Sequence, residues 1–509
     1  MQTDRMLFNK IRNILLKCGK DKNVDEELRL KYMLVLVWIR YVSNIFERKK
    51  TELVKICEGK QEHVEKRLRM TGVYIPDSAS FKKIYEVRNS QELDQEIDVM
   101  LQNLVDVNPL LLKDEKQEKH IFEMITAVKD KSAFFPGLVS FLHDFLDLFG
   151  GMGDEQAYNE IAGEIFDWLL SELARMNNRM AFYTPRKVID TVLAIVDPKK
   201  GERVYDPASG AGGLLVAAGK YIGGNNFSLY GQENNFMAWS LARMNVLVHD
   251  LEFVKLNHQD SIRSPFIEDG WLKKFDVVLS RLPFGLLYWN IDDAKTDCFH
   301  RFDMGIPPVN KPDWAYISHV LASLSGKGRA AVVTQLGALF REGTEKKIRE
   351  QVVSRNWLEA VIGLPANLFE DTMVASVILV FNKQKTDRSV LFVDTSPNGG
   401  KEEVCQTADD QQLEAISRHF REYRTIKPKS EGEWMQDYVH VGNVDEIARK
   451  GYNLSLNLYV GKEKKEDYSK ILEDIERLTT ELKQVERDIE AKMKDMGLKP
   501  GFISGGKKV

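Results

Sequence analysis

Two rhythms of apolar and polar positions divide the chain. Up to about residue 178, apolar side chains recur at three- and four-residue steps, as in "LRLKYMLVLVWIRYVSNIFERKK" and "AYNEIAGEIFDWLLSELARM". That is the spacing of helices that bury one face, and it predicts an all-α N-terminal domain over residues 1–178. From about residue 200 the pattern shortens to β-rich runs, "RVYD", "FSLYGQE", "KFDVVLS", "GRAAVVT", "LEAVIGL" and "VASVILVFN", with amphipathic stretches between them. Strands alternating with helices predict an α/β domain with a mostly parallel, doubly wound sheet over 179–460. Residues 397–435 are polar, include "SPNGGKEE" and "RTIKPKSEGE", and predict exposed excursions. In the last part, 461–509, Tyr468, Ile471, Ile475, Leu478, Leu482, Val485 and Ile489 form a heptad seam with Glu, Lys and Arg between them. This C-terminal helical tail has about three heptads and is marginal alone. Two placements are open for it, packed back on its own domain or docked on a partner. The chain has no internal repeat.

Composition narrows the class. At 509 residues and 43% hydrophobic content the chain can bury large cores and divides into two or three domains. Lys plus Arg number 72 against 76 acidic residues, so the formal charge of -4 carries no whole-chain basic signature for nucleic acid. Any DNA contact is therefore local or shared with a partner. Cys18, Cys57, Cys298 and Cys405 are scattered, with no metal-ligand spacing, and "MQTDRMLFNK" lacks an apolar signal core. A reducing cytoplasm and no metal are the expectation. The apolar run "MLVLVWI" is far shorter than the roughly 20 residues needed to span a bilayer, so no membrane segment is expected.

Chemistry enters with "VYDPASGAGGLLVAAG". A strand ends at Asp206, turns through Gly210, Gly212 and Gly213, and opens a helix, so the backbone can approach a ligand closely. Position 215 is Leu where a dinucleotide fingerprint needs a third Gly. The acid at the strand end suits a cationic or hydroxyl-bearing ligand. The next strand ends at Glu233, where a carboxylate can take both ribose hydroxyls, and Asp260 in "NHQDS" is a candidate acceptor for an adenine amino group. Singly, each acid also reads as an ordinary strand-end or helix-cap residue. At successive strand ends they read together as a site. A further strand, "FDVVLSRLPFG", is apolar on both faces as a central parallel strand should be, and stops on Pro-Phe-Gly after an arginine.

These residues resemble the modification (M) subunits of type I restriction-modification systems, which are S-adenosyl-L-methionine-dependent adenine-N6 DNA methyltransferases with a Rossmann-like fold. "AGEIFDWLL", "FYTPRKVI" and "DPASGAGGLL" carry the likeness, with Ser209, Ala211 and Leu214 as mild departures. "MGIPPVNKPDWAYISHVL", "LEAVIGLPANLFEDTMVASVILVF", "GYNLSLNLY" and the helical "YMLVLVWIRYVSNIFE" follow in the family's order. The resemblance implies that Phe182, Thr184 and Pro185 help form the cofactor pocket together with the loop that runs from Asp206 and Pro207 to Gly210, Gly212 and Gly213. It also implies that Asp206 and Gly210 hold the methionine end, Glu233 the ribose and Asp260 the adenine. The partners it implies are DNA, a separate recognition subunit reached through the C-terminal helix, and a restriction subunit or second M subunit.

The family's catalytic tetrapeptide, Asn-Pro-Pro-Phe or Tyr, falls on Arg281, Leu282, Pro283 and Phe284, and two of the four positions depart. An adenine amino group is a poor nucleophile because its lone pair is delocalised into the ring. In the family the Asn oxygen and a prolyl carbonyl accept its two protons, while the aromatic ring stacks on the flipped base. Arginine accepts nothing. Its charge near a developing cation opposes reaction by on the order of 3 kcal/mol, roughly a hundredfold in rate. Three readings of Arg281 are open: a solvated or salt-bridged loop residue, the mark of a pseudo-methyltransferase that keeps the cofactor, or altered catalysis with Ser280 or a backbone carbonyl as acceptor. "RHFREYRTIKPK", with Arg418, Arg421, Arg424, Lys427 and Lys429 beside Phe420 and Tyr423, either follows a phosphate backbone or is a solvated loop.

Overall fold

The computed structural model describes residues 24–460 apart from 71, 115, 117, 128–130, 151–154, 177–181, 287, 366–367, 370–374, 395–409 and 427–438, with a few positions before 24 and Val485. Met1–Val460 form one compact unit and Gly461–Val509 another. Apart from Val485, the heptad seam lies outside the described residues.

The helical part is built on α1 (Glu26–Ile56), a helix that opens where Asp25 accepts the Leu28 amide at 2.9 Å. Acids Glu26 and Glu27 in its first turn suit the positive end of the helix. From Tyr32 to Val42 every residue of α1 is buried, so the segment serves as the axis of this layer. Helix α2 (Glu155–Met176) lies along it, and Tyr158 donates its hydroxyl to the Val37 carbonyl at 2.9 Å. Helix α3 (Arg186–Val196) then leads to the sheet.

Among the described residues nine strands build the main sheet: β1 (Arg203–Asp206), β2 (Ser228–Glu233), β3 (Val254–His258), β4 (Phe275–Arg281), β5 (Leu324–Gln335), β6 (Leu358–Gly363), β7 (Ser376–Asn382), β8 (Ser389–Asp394) and β9 (Val439–Asn443). Their order across the sheet is β9-β8-β6-β7-β5-β4-β1-β2-β3. Strands β3, β2, β1, β4 and β5 are parallel; β7 runs against both its neighbours, and β9 against β8. Helices α4 (Gly213–Ile222) and α5 (Phe236–Val248) connect β1 to β2 and β2 to β3; α6 (Asp313–Ser323) precedes β5. The chain runs from β1 outward to β2 and β3, then crosses back to β4 on the other side of β1. In such a sheet, ligands sit outside the carboxyl ends of the strands at this reversal. The fold is the mostly parallel α/β sheet preceded by helices that the sequence predicts. Among the described residues no helix is long and apolar enough to cross a membrane.

Two expectations fail. Strands β3, β8 and β9 were not among the predicted runs; in "VKLNH" polar side chains interrupt the apolar pattern of an inner strand. The polar stretch 397–435 contains a helix, α7 (Asp410–Ile426), with Ile416, Phe420 and Tyr423 buried. Arg424 is fixed to Glu359 at 2.8 and 3.1 Å and donates to the Ile195 carbonyl at 2.8 Å. "RHFREYR" is therefore an amphipathic helix docked on the domain, neither a solvated loop nor an aromatic phosphate track. Arg418 and Arg421 are exposed, and Lys427 and Lys429 lie outside the described residues.

Candidate cofactor site

The glycine turn is held shut by neighbours that leave no room for a side chain. Gly210 has φ +52°, and a Cβ there would sit 2.4 Å from the Phe182 carbonyl oxygen. That carbonyl accepts the Ala211 amide at 3.0 Å, so the Phe182 segment lies directly on the turn. Gly212, at φ +80°, precedes α4, which begins at Gly213. Pro185 stands before α3, its carbonyl accepting the Val188 and Ile189 amides, so it fixes where that helix starts.

Asp206 is 1% exposed. One carboxylate oxygen accepts the Ser280 hydroxyl at 2.7 Å and the Ala208 amide at 3.0 Å. Burial outweighs these donors and, with Glu233 nearby, pushes its pKa up to about 7. Glu233 binds with both oxygens: one takes the Gly210 amide at 2.9 Å, the other the Asn235 amide at 2.7 Å. Its pKa is raised by burial, against the pull of those amides and of His258. Asp260 caps its own turn, accepting the Ile262 and Arg263 amides at 2.8 and 3.3 Å.

These groups converge on a cavity of about 450 Å³ whose lining includes Phe182, Pro207, Glu233, Asp260, Arg281 and Pro283. Six of the residues singled out in the sequence thus share one space. Asp206, Gly210 and Gly212 are not in its wall, which Pro207 and Ala208 form at that point. Thr184 and Gly213 line a second cavity of about 230 Å³, and Phe182 borders both.

At the end of β4 the arrangement is different in kind. The Arg281 guanidinium, 5% exposed overall, lies 4.6 Å from the Phe284 ring centroid and 4.7 Å from that of Phe369. The two rings meet edge to face at 5.4 Å. Arg281 is therefore not a solvated loop residue; its guanidinium packs against both rings. Leu282 turns into the core and extends the strand, its amide donating to the Val333 carbonyl at 3.0 Å. Ser280, an alternative acceptor, is fully buried and bonded to Asp206.

Sequence reasoning missed the residues that brace this site. Gln259, Asn234, Asn235 and Tyr316 also line the cavity. Tyr316 has its pKa raised by burial and by the charges of Asp260 and Glu233. Behind them, Arg301 is paired with Asp297 at 2.7 Å and donates to the carbonyls of Ser261 and Ile262, fixing the turn that Asp260 opens. Burial holds the His319 pKa well below its ordinary value, so the ring is neutral. It accepts from Arg301 at Nδ1 and donates from Nε2 to Tyr205, whose hydroxyl donates to Gln232. The motif "PDWAYISH" carries both Tyr316 and His319 and was the available signal. Among the described residues no group of three or more His, Cys, Asp or Glu is placed to hold a metal ion.

Comparison with known proteins shows the family. The family model described as N-6 DNA Methylase matches residues 157–468, and that described as HsdM N-terminal domain matches 13–133. The MjaVII type I methylase subunit of Methanocaldococcus jannaschii is 26% identical over 431 residues, covering 82% of this chain and 71% of that one. The HindI methylase subunit of Haemophilus influenzae is 28% identical over 391 residues, covering 73% and 85%. A crystal structure of the type I restriction-modification methyltransferase subunit of Streptococcus thermophilus superposes with TM-score 0.74 at 22% identity, covering 90% of this chain and 99% of that one. With a match over more than half of its length, the chain belongs to the N-6 DNA methylase family, among the methylase subunits of type I restriction-modification systems.

Proposed function

We propose that the chain binds S-adenosyl-L-methionine in the 450 Å³ cavity and serves as the methylase-fold subunit of a cytoplasmic DNA-modification complex, but transfers methyl groups to adenine poorly or not at all. The cavity has the size of a small-molecule site, and its donor set suits this cofactor. Glu233, held by two backbone amides, would take the ribose hydroxyls; Asp260 would meet the adenine amino group; Phe182 and Ala238 offer apolar wall. Asp206 would hold the loop and face the methionine end from behind Ala208. The bound cofactor would supply an electrophilic methyl group.

The observation that carries the second half of the proposal is Arg281 between Phe284 and Phe369. A guanidinium has five donors and no acceptor, so this position cannot localise the adenine lone pair. The ring of Phe284, which would stack on a flipped base, already faces the guanidinium. Ser280, buried beneath the loop, is no substitute. Calorimetry and tritium transfer test the two halves separately. Binding heat at micromolar to millimolar cofactor with no label in adenine is the expected pair of results. No heat at millimolar cofactor would refute the first half; ordinary transfer rates would refute the second.

Partners follow from the relatives, which are named as subunits of restriction enzymes. DNA would be reached together with a recognition subunit docked on the heptad-bearing segment 461–509, with a restriction subunit or a second methylase subunit completing the assembly. The compactness of Met1–Val460 supports a truncation that folds. Deleting 463–509 is expected to leave cofactor affinity unchanged and abolish co-purification with a recognition-type subunit.

A further inference from the structure

The cofactor cavity is lined by two loops, one after β2 (Glu233, Asn234, Asn235) and one after β3 (Gln259, Asp260, Ser261). Both meet at His258, the last residue of β3. Its Nε2 lies 3.0 Å from the Asn234 carbonyl, and its Nδ1 lies 2.5 Å from a carboxylate oxygen of Asp114. A carboxylate oxygen and a carbonyl oxygen, both acceptors, thus face the two ring nitrogens, and the ring joins them. The next amide, Gln259, donates to the Glu233 carbonyl at 3.0 Å, closing the bridge between the loops.

Asp114 comes from the N-terminal helical part, 144 residues earlier in the chain. Its other oxygen accepts the Lys116 amide at 3.0 Å, and its own amide donates to the Lys119 carbonyl at 2.8 Å, so the carboxylate is fixed before it meets the histidine. Both side chains are enclosed, at 7% and 5% exposure. The same segment is pinned to α5 twice more. Arg243 donates to the Leu111 carbonyl at 2.7 and 3.2 Å, and the Lys119 ammonium lies 5.3 Å from the Phe236 ring. Phe236 and Trp239 flank the histidine ring. The influence of His258 reaches the cavity, because it opposes the burial that raises the Glu233 pKa.

We infer that Asp114 is a positioning residue for the cavity: through His258 the N-terminal helical part holds the two loops that line it. Removing the carboxylate leaves a buried donor without its acceptor and frees the ring that joins the loops. By reciprocity, a ligand that orders the loops tightens the docking of residues 111–120. The inference rests on the cofactor reading for the identity of that ligand, not for the positioning itself.

Hydrogen exchange on the ligand-free full chain separates the two. In Asp114→Ala, peptides covering 232–238 and 257–263 are expected to exchange about tenfold faster, while β8 does not change. Asp114→Asn, which keeps an acceptor of the same shape, is expected to show a smaller effect at the same two places. With S-adenosylmethionine, Asp114→Ala is expected to bind about tenfold more weakly, and adding His258→Gln to it to weaken binding less than the two single changes combined. Unchanged exchange in both loops, or acceleration spread evenly over the chain, would overturn the inference. If the parent gives no binding heat while the loops respond as described, the ligand reading fails and the positioning stands.

Discussion

Strands β1 and β4 lie side by side, Val204 against Val277 and Tyr205 against Val278, and both end at the same cavity. Beyond the end of β1 a left-handed glycine and a buried acid shape the turn that Pro207 and Ala208 carry into the cavity wall, and at the end of β2 a second acid accepts backbone amides with both oxygens. At the end of β4 the chain closes on itself, with a guanidinium packed against two rings and a leucine turned into the core. On the proposed reading, cofactor binding and base chemistry would be separable in this fold. The first would rest on the Gly210 turn and on Glu233, which are joined through backbone amides and not through Arg281. The second depends on an acceptor at one position.

The largest expected effect comes from restoring that acceptor. Arg281→Asn is expected to raise methyl transfer to adenine at least a hundredfold over the parent in the assembled complex, measured with labelled cofactor. The structure argues against pairing it at once with Leu282→Pro. That change removes the amide that donates to Val333 and a buried side chain, at a cost of about 2 kcal/mol or more. A single Arg281→Asn variant that binds cofactor and remains inert would place the block in the loop shape, not in the missing acceptor.

The β1 half was legible in the sequence because its demands are local. A glycine at positive φ, an acid at a strand end and a helix opening on a third glycine all fall within a few residues of one another. Glu233 and Asp260 were legible for the same reason, as acids at the next strand ends. What escaped was long-range or disguised. Phe369, which completes the stack on Arg281, and Asp114, which reaches His258, come from segments with no chemical motif of their own. Helix α7 was hidden because most of its residues are polar; among the described side chains Ile416, Phe420 and Tyr423 are the buried hydrophobic ones.

The comparison sharpens if the β1 half is broken without touching β4. Gly210→Ala must adopt φ near +52° and bring its Cβ to 2.4 Å from the Phe182 carbonyl. The left-handed conformation alone costs about 1–2 kcal/mol, and backbone must move to relieve the contact. Cofactor affinity is expected to fall at least tenfold, with a stability loss of about 2 kcal/mol or more by urea unfolding. A variant that binds as well as the parent would mean that the turn does not shape the site.

The smallest expected effect is one of pH, and it asks whether the β1 half carries a charge near neutrality. Asp206 titrates near pH 7 when folded, against about 3.9 for an unfolded chain. Between those values the folded protein keeps a proton that the unfolded chain has lost. The resulting stabilisation is complete below about pH 4, declines as the pH rises, and is gone once pH 7 is passed. Other groups titrate in the same window, so the parent is compared with Asp206→Asn, which cannot ionise yet still accepts from Ser280 and Ala208. Urea unfolding at pH 5 and pH 8 is expected to show the parent losing about 2 kcal/mol more than the variant. Equal losses would mean that Asp206 is ionised throughout, with the Ser280 and Ala208 donors outweighing its burial. The acid behind the glycine turn would then be a permanent anion facing the methionine end, where the buried geometry implies a group that gains its charge as the pH passes 7.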